Sequence, residues 1–320
     1  MLLALLFEKT PLSIELAARY GYDEWLVGRF LQYVPDVTTF MAKMEQPPTQ
    51  YLRVNTIKTG REELATRLAA KGFELAATPI PEVMAVKKAP MSAGATVEYM
   101  LGHYYIQDLS SCMAVEALDV REGQSVLDMA AAPGGKTTFM AQRMNNTGSI
   151  VALEPSERRA RSMEFNMARL GVCNTCICTV DGLQAPELGE FDRVLLDAPC
   201  SCEGVIARDP SRKTSHLPAD VDYCAALQGR LVEAAVNAAK PGGLIVYSTC
   251  SFAPEENEAI VDGMVRRFGV EVEEPFAHGS RGVESFGRME FSGAVRNARR
   301  FYPHLHDTTG FFIARMRKRK

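Results

Sequence analysis

Apolar residues recur at helical spacing between residues 10 and 45, in segments such as SIELAARYG and EWLVGRFLQ. Apolar positions that repeat every three to four residues are typical of amphipathic helices, and proline ends such a pattern. The pattern stops at Pro47 and Pro48. We therefore predict helices over 10–45.

Strand-like and helix-like segments then alternate over a short stretch. YLRVNTI predicts a strand, GREELATRLAAKG predicts a helix that ends at glycine, and FELAATPI and VMAVKKA predict two more strands. This order indicates a small α+β unit at about 50–90, a size usual for a subdomain. We place a linker near 90–94 and predict that residues 1–93 form a helical and small α+β domain.

A regular alternation of strand and helix begins at Gln124. QSVLDMA, GSIVALEP, CICTV, FDRVLLDAP and GGLIVYSTC are strand-like, and the helix-like segments KTTFMAQRM, ERRARSMEFNMARLG and ALQGRLVEAAVNAAK lie among them. Such alternation is typical of parallel strands joined by crossover helices. We therefore predict an α/β fold in which residues 94–320 form a Rossmann-like doubly wound sheet.

Polar and thiol side chains follow the predicted strands at the points where the strands end. In doubly wound sheets, ligands bind at the carboxyl ends of the strands. The residues at these ends are Asp128, Glu154, Asp181, Asp197 and Cys250. The sequence therefore predicts one functional edge of the sheet.

The loop DMAAAPGGKTT at 128–138 joins the first of these strands to its helix. It contains Gly135-Lys136-Thr137, but a phosphate-binding P-loop also needs glycine where Ala130 stands, and a G-x-G-x-x-G pattern is missing as well. Small residues let a ligand approach the backbone, and the amides of the following helix can bind it. A structural turn remains the simpler interpretation of the loop alone.

Two acids give this loop a more specific meaning. Glu154 follows Lys136 by 18 residues, close to the spacing of about 20 at which an acid binds ribose hydroxyls in nucleotide-binding sheets. Asp181 ends the next strand, where a carboxylate can accept from an adenine amino group. Each acid alone is more often a helix cap or a turn residue. Together with the loop, they favour a cofactor that carries ribose and adenine.

Composition and charge set wider limits. A chain of 320 residues with 47% hydrophobic residues fits one large and one smaller domain, and a net charge of −3 gives no overall basic signature. Residues 288–320 hold nine lysines and arginines against two acids. This segment is either a solvated basic tail or a surface that contacts phosphates.

The start of the chain and its cysteines indicate a compartment. The apolar run MLLALL is too short to span a membrane and lacks a basic segment before it, so we predict no secretion signal. Eight cysteines without such a signal suggest free thiols and a cytoplasmic protein. Cys173-x-x-Cys176-x-Cys178 has a metal-like spacing, but we expect buried thiols in a strand rather than zinc, and no metal.

Three motifs in order identify a family resemblance. DMAAAPGGKT, LLDAPCSCEG and YSTCSFAPEENE resemble the Nop/Sun-type (NOL/NOP/Sun, RsmB-like) RNA (cytosine-5) methyltransferase family, and so do RVNT at 53–56 and YPHLHDTTGFFIARM at 302–316. The resemblance extends from about residue 10 to 316. Many members carry cysteine where this chain has Ala130, and we see no appended RNA-binding domain.

The resemblance implies S-adenosylmethionine as the cofactor and a cysteine that adds to carbon 6 of cytosine, which makes carbon 5 nucleophilic enough to accept a methyl group. It assigns the attack to Cys250, release of the adduct to Cys200, and a hydrogen bond to the nitrogen edge of the base to Asp197. Residue chemistry alone does not choose between the two thiols. The implied cofactor-binding residues are Ala130, Ala131, Ala132, Pro133, Gly134, Gly135, Lys136, Glu154, Asp181 and Asp197.

Other expectations complete the interpretation. Cys112, Cys202 and Cys224 match no motif position and are taken as structural. A helix is expected from about Pro254, with Glu255 and Glu256 in its first turn. Phosphate contacts are expected from three basic residues: Arg299, Arg300 and Arg317.

The resemblance also implies that residues 1–93 are an RRM-like RNA-binding domain and that the partner is RNA. We expect tRNA, with rRNA as the alternative, and a monomer that does not bind membranes. Two further hypotheses stay open: a methyltransferase for another acceptor, which would not need paired cysteines, and a non-catalytic RNA-binding assembly factor.

Overall fold

A computed structural model describes residue 7 and residues 9–320, so the apolar start MLLALL lies outside the described residues. The chain forms two compact units. The first, which we call the sheet unit, comprises Thr49–Asp197 and Asn237–Val246 with Lys320. The second, which we call the thiol unit, comprises the residues up to Pro48, Ala198–Val236 and Tyr247–Arg319.

The helices and strands are numbered in chain order. The helices are α1 (Pro11–Tyr20), α2 (Glu24–Tyr33), α3 (Val37–Met44), α4 (Arg61–Ala69), α5 (Val97–Met100), α6 (Leu109–Leu118), α7 (Gly135–Arg143), α8 (Glu157–Leu170), α9 (Arg212–Ser215), α10 (Pro218–Ala238), α11 (Glu258–Phe268) and α12 (Pro303–His306). The strands are β1 (Gln50–Val54), β2 (Glu74–Ala77), β3 (Val83–Lys88), β4 (Tyr104–Ile106), β5 (Ser125–Asp128), β6 (Ser149–Leu153), β7 (Thr175–Cys178), β8 (Phe191–Asp197), β9 (Ala239–Thr249), β10 (Glu271–Glu273), β11 (Ser280–Arg281), β12 (Ser285–Phe286), β13 (Met289–Glu290), β14 (Arg299–Phe301) and β15 (Phe311–Arg317).

The larger sheet of the sheet unit confirms the predicted α/β alternation. Its strands lie in the order β9, β8, β5, β6, β7, and the pairs β8–β5, β5–β6 and β6–β7 are parallel. Helices α7, α8 and α10 follow β5, β6 and β8 along the chain, as the periodicity predicted. The carboxyl ends of the parallel strands therefore lie at one edge.

The small sheet of the sheet unit is antiparallel, in the order β2, β3, β1, β4. Strands β1, β2 and β3 and helix α4 confirm the predicted α+β unit. The segment expected to be a linker instead leads to a short 3₁₀ turn at Ala93–Ala95 and then to β4, which pairs with β1. The small sheet thus continues past residue 93, and the division into domains at that residue stays a prediction.

The thiol unit has an aromatic core built around α1–α3, which confirm the predicted N-terminal helices. Phe252, two residues after Cys250, is fully buried against Phe30 and Phe40, with ring centroids 6.0 and 5.3 Å apart. Its other face stacks on Tyr302 at 5.9 Å. The same unit contains β14 paired with β11 and β15, and β10 paired with β15, all antiparallel.

Across the part of the chain that the structure describes, no helix combines the length and the apolar character needed to cross a membrane.

Candidate active site

The glycine loop follows β5 in the sheet unit and ends where α7 begins. Gly134 has φ +94°, a backbone conformation that residues other than glycine rarely adopt. A Cβ atom there would also approach Met163 Cγ to 3.1 Å. Within the described part of the chain, no side chain caps the start of α7. The first amides of a helix have no acceptor within the helix. The loop is therefore shaped for close approach of a ligand to its backbone.

Asp128, at the end of β5, was placed at the functional edge from the sequence but was given no role. Its side chain is 1% exposed, Oδ2 accepts from Thr137 Oγ1 at 2.7 Å, and Oδ1 has no hydrogen-bond partner among the residues that the structure describes. Burial raises the pKa of this carboxyl to about 6. A buried polar atom without a partner calls for an explanation, and a hydrogen bond to a bound ligand supplies one.

Glu154 and Asp181 lie beyond the ends of β6 and β7 and make local contacts there. Glu154 is buried, and its carboxylate accepts from Ser156 N at 3.0 Å and pairs with Arg159 at 3.2 Å. Arg159 also donates to the carbonyl of Ala132 at 2.9 Å, which connects Glu154 to the glycine loop.

Asp181 caps a 3₁₀ helix at Gly182–Leu188 and accepts from Leu183 N at 2.8 Å. Its cap role is therefore present, and its role in binding a cofactor stays a prediction.

Lys136 and Asp197 form an ion pair within the sheet unit. Lys136 Nζ lies 2.5 Å from Asp197 Oδ2, and the side chains are 13% and 28% exposed. Asp197 is the last residue of β8, so this ion pair connects the end of β8 to the glycine loop. The sequence predicted a role for each residue but did not predict their contact.

The RVNT motif supports the glycine loop from β1. Arg53 is 1% exposed and donates to Gln107 Oε1 at 2.9 Å, to the carbonyl of Gly135 at 2.5 Å and to Thr138 Oγ1 at 2.8 Å. Burial lowers the pKa of this guanidinium to about 10. Arg53 thus fixes the first turn of α7, which makes it a positioning residue.

The two cysteines of the sequence motifs meet in the thiol unit. Cys250 directly follows β9, and its Sγ lies 3.2 Å from Cys200 Sγ. Ala198 N donates to the carbonyl of Ser248 at 2.8 Å and so aligns the two cysteine segments. Gly204 N bonds the carbonyl of Cys250 at 2.8 Å. The expectation that Cys250 lies where a strand ends agrees with its place after β9. The catalytic roles of both thiols stay predictions.

Glu256 holds the serine that follows each of these cysteines. Its carboxylate accepts from the hydroxyls of Ser201 and Ser251, from Ser201 N at 3.0 Å and from Gln228 Nε2 at 2.9 Å. Burial raises the pKa of this carboxyl. The chain separation between Ser201 and Glu256 is 55 residues, so no local pattern could have indicated this contact.

The prediction that a helix begins near Pro254 is wrong, because α11 begins at Glu258. Glu255 and Glu256 therefore precede the helix instead of filling its first turn. Glu255 forms a fully buried ion pair with Arg29 of α2, with 2.6 Å between Nη2 and Oε2. Both glutamates thus stabilise the Cys250 segment through side-chain contacts.

Cys202, which the sequence predicts to be structural, lies beside the two motif cysteines in the thiol unit. Its Sγ lies 3.8 Å from Cys200 Sγ, and its backbone has φ +65°. Hydrogen bonds from Cys200 and Cys250 lower the pKa of Cys202, and the Arg212 guanidinium acts in the same direction. The contacts with Cys202 and Cys250 raise the pKa of Cys200. Since adjacent thiolates repel each other, the cluster favours one thiolate stabilised by thiol donors.

The structure also overturns the expectation that the cysteines near β7 are buried. Cys173 and Cys176 are exposed and Cys178 is partly exposed. The strand was predicted correctly, but β7 lies at the end of the sheet order, where its side chains have fewer neighbours.

The arginines expected to contact phosphates are engaged within the thiol unit. Arg299 is 2% exposed and pairs with Glu274, and Arg300 is 1% exposed and pairs with Glu258. Arg317 pairs with Glu273. The expectation of phosphate contacts is therefore wrong for the buried Arg299 and Arg300. For Arg317, whose side chain is 38% exposed, it stays a prediction.

Comparison with known proteins extends this description. Residues 115–317 match the family described as 16S rRNA methyltransferase RsmB/F, and residues 22–91 match the ferredoxin-like domain of RsmF/B-like methyltransferases. The 28S rRNA (cytosine(4447)-C(5))-methyltransferase of Homo sapiens is 41% identical over 319 residues, which cover 96% of this chain and 39% of that protein. The chain spans about half or less of the length of the four eukaryotic curated relatives that it matches.

Two solved structures from Pyrococcus horikoshii are similar over nearly the whole chain. A methyltransferase homolog superposes with a TM-score of 0.89 at 38% identity and covers 97% of this chain and 99% of its own. An NSun6 solved with SFG superposes with a TM-score of 0.78 at 27% identity and covers 97% of this chain and 98% of its own. With its Rossmann-like fold and its match over residues 115–317, the chain belongs to the RsmB/F methyltransferase family.

Proposed function

We propose that this chain catalyses the transfer of a methyl group from S-adenosylmethionine to carbon 5 of a cytosine in rRNA. The observation that carries the proposal is the pair of thiols from two separate motifs, Cys200 and Cys250, whose sulfur atoms lie 3.2 Å apart. A methyltransferase for another acceptor has no use for such a pair. A non-catalytic assembly factor is the remaining alternative, and it does not need the thiols to be held in place.

The residues of the sheet unit fit the cofactor that the family implies. Among the described residues, Asp128 offers a buried carboxylate oxygen without a hydrogen-bond partner, and the glycine loop leads into a helix start that no side chain caps. Glu154 offers a buried carboxylate that can accept from two ribose hydroxyls. S-adenosylmethionine supplies an electrophilic methyl group when bound. A relative solved with SFG, an analogue of this cofactor, supports the assignment.

The chemistry assigned to this chain's own residues begins at Cys250. Its thiolate adds to carbon 6 of the base, while Asp197 binds the nitrogen edge and supports protonation there. Carbon 5 becomes nucleophilic and accepts the methyl group. The carbon 5 proton then leaves to solvent and the bond between carbon 6 and sulfur breaks, a release step that Cys200 assists. Cys250 departs as the thiolate that began the reaction.

The target base has to leave its stack before sulfur can reach carbon 6. Glu256 holds the segments of Cys200 and Cys250 through their neighbouring serines, so the two sulfurs are positioned before the base arrives. Positioning in advance reduces the entropy lost in the reaction.

The names of the relatives support rRNA instead of the tRNA that we expect from the sequence. The description of the matching family names 16S rRNA, and the name of the human relative contains 28S rRNA. Neither name mentions tRNA. A cytoplasmic location and a monomeric state remain proposals on the sequence argument alone.

The function can be tested by bisulfite sequencing of rRNA and tRNA from cells with and without the gene. We expect at least one rRNA cytosine that resists conversion in normal cells and converts in the deletion. The wild-type chain should restore the resistance, whereas Cys250→Ala should not. A change confined to tRNA would return the substrate to tRNA, and no change in either RNA would favour the assembly factor.

Cofactor binding is expected to depend on Glu154. Its replacement by alanine removes a charged acceptor from the ribose site and should weaken S-adenosylmethionine binding by roughly 1.5–3 kcal/mol. Calorimetric titration measures this loss. Glu157→Ala, an exposed carboxylate in the first turn of α8, is the matched control. Equal S-adenosylmethionine affinities of the two variants would show that Glu154 does not bind the cofactor. Thermal unfolding of the Glu154 variant would show whether its contact with Arg159 contributes to stability.

A further inference from the structure

Cys202 turns the pair of motif cysteines into a cluster of three sulfurs. The Sγ atoms of Cys200, Cys202 and Cys250 all lie within 4.8 Å of one another. Each of the three side chains is partly buried, so the cluster is sheltered and still accessible to a small ion. The proposed reaction uses Cys250 and Cys200 and leaves the Cys202 sulfur without a function.

The separations between the sulfurs fit coordination of one metal ion. A zinc–sulfur bond is about 2.3 Å long, which places sulfurs around one ion about 3.8–4.0 Å apart at tetrahedral or trigonal angles. The observed separations include 3.2 Å for Cys200–Cys250 and 3.8 Å for Cys200–Cys202. Each sulfur–sulfur distance therefore has to change by less than about 1 Å for the three sulfurs to coordinate one ion.

A nitrogen near the cluster adds an independent observation. His216 is 4% exposed, and its Nε2 has no hydrogen-bond partner among the described residues. The charge of His216 acts to lower the pKa of Cys202. Imidazole nitrogen is a common zinc ligand beside thiolates. The nearby cation Arg212 is offset by Asp209, with 3.0 Å between Nε and Oδ2.

We propose that Cys200, Cys202 and Cys250 bind one soft divalent cation of the zinc class through their three sulfurs. Each coordinated thiol gives its proton to solvent, and no oxidant or reductant is required. Bound metal occupies the Cys250 sulfur, so it cannot add to carbon 6. The inhibition of methylation that follows rests on the proposed function, whereas metal binding itself does not.

Metal binding can be measured with Cd²⁺, whose thiolate complexes absorb in the ultraviolet. The reduced full chain should carry Cys173→Ser, Cys176→Ser and Cys178→Ser, because these exposed thiols would also take up metal. We expect saturation at one equivalent per chain. Replacing a residue that only hydrogen-bonds to a metal ligand lowers metal affinity by about 10–100-fold. Removing the Cys202 sulfur, which is itself a ligand, should therefore lower the affinity by about 100-fold or more.

Cys202→Gly is the informative variant because glycine readily adopts the φ of +65° found there, so the fold should be retained. Cys224→Ser, a partly exposed thiol in α10, is the matched control and should bind Cd²⁺ like the parent. A parent without a saturable signal, or Cys202→Gly with unchanged affinity, would overturn the metal site.

Methylation assays then separate the inference from the function. Excess Zn²⁺ should inhibit the parent and a chelator should restore it, while Cys202→Gly should methylate RNA and resist the same Zn²⁺ concentration. If the parent methylates RNA but binds no Cd²⁺, the metal site is refuted and the function stands. If it binds one Cd²⁺ and never methylates RNA, the function is refuted and the metal site stands.

Discussion

Cys250→Ala is expected to lower RNA methylation by about 10⁴-fold or more and to leave no covalent RNA–protein species. Without this sulfur nothing adds to carbon 6, and carbon 5 stays a poor nucleophile. Transfer of a radioactive methyl group to RNA measures the loss. Cys224→Ala, which changes a thiol outside the cluster, should retain normal activity.

Cys200→Ala is expected to fail at a later step. Cys250 can still attack and carbon 5 can still accept the methyl group. The adduct then persists, because the residue that assists its release is missing. A denaturing gel should therefore show a slow-migrating, nuclease-sensitive band that depends on S-adenosylmethionine. The Cys200→Ala/Cys250→Ala double variant should lose this band. An adduct in Cys250→Ala and none in Cys200→Ala would exchange the two roles.

The largest expected effect on stability comes from Glu258. This residue and Arg300 are both buried, with 2.7 Å between Arg300 Nε and Glu258 Oε1. Arg300 also donates to the carbonyl of Phe252 at 2.9 Å. Glu258→Met leaves a guanidinium buried without its counter-charge, which should lower the free energy of unfolding by about 3–5 kcal/mol. Urea unfolding of each variant measures the change.

Two further variants identify the cause of that loss. Glu258→Met/Arg300→Met removes both charges and should recover at least half of the stability. Glu233→Met disrupts an exposed pair with Arg267, in which the side chains are 47% and 59% exposed, and should cost less than about 1 kcal/mol. If Glu258→Met costs no more than Glu233→Met, the buried pair contributes little to stability.

The sequence was informative wherever the signal is local and periodic. Strand–helix alternation placed β5, β6 and β8 and their carboxyl ends, and therefore Asp128, Glu154 and Asp197, because parallel connection brings strand ends to a common edge. Spacing also placed Glu154 beside the glycine loop. These inferences require no knowledge of which residues pack together.

The sequence was uninformative wherever the partner is distant in the chain. A count of basic residues cannot tell that Arg300 faces Glu258, 42 residues away. Alternation in CICTV predicted the strand β7 but not its place at the end of the sheet order, which exposes Cys176. Cys202 was missed because only the folded loop turns its sulfur toward Cys200.

The burial of Phe252 among Phe30, Phe40 and Tyr302 constrains how members of this family can be recombined. The segment that carries Cys250 is shaped by helices located more than 200 residues earlier in the chain. A chimera that takes its first 48 residues from one relative and its cysteine motifs from another would therefore mismatch an aromatic core. Inheritance of the N-terminal helices and the thiol segments is thus expected to be linked, with compensating substitutions on both sides.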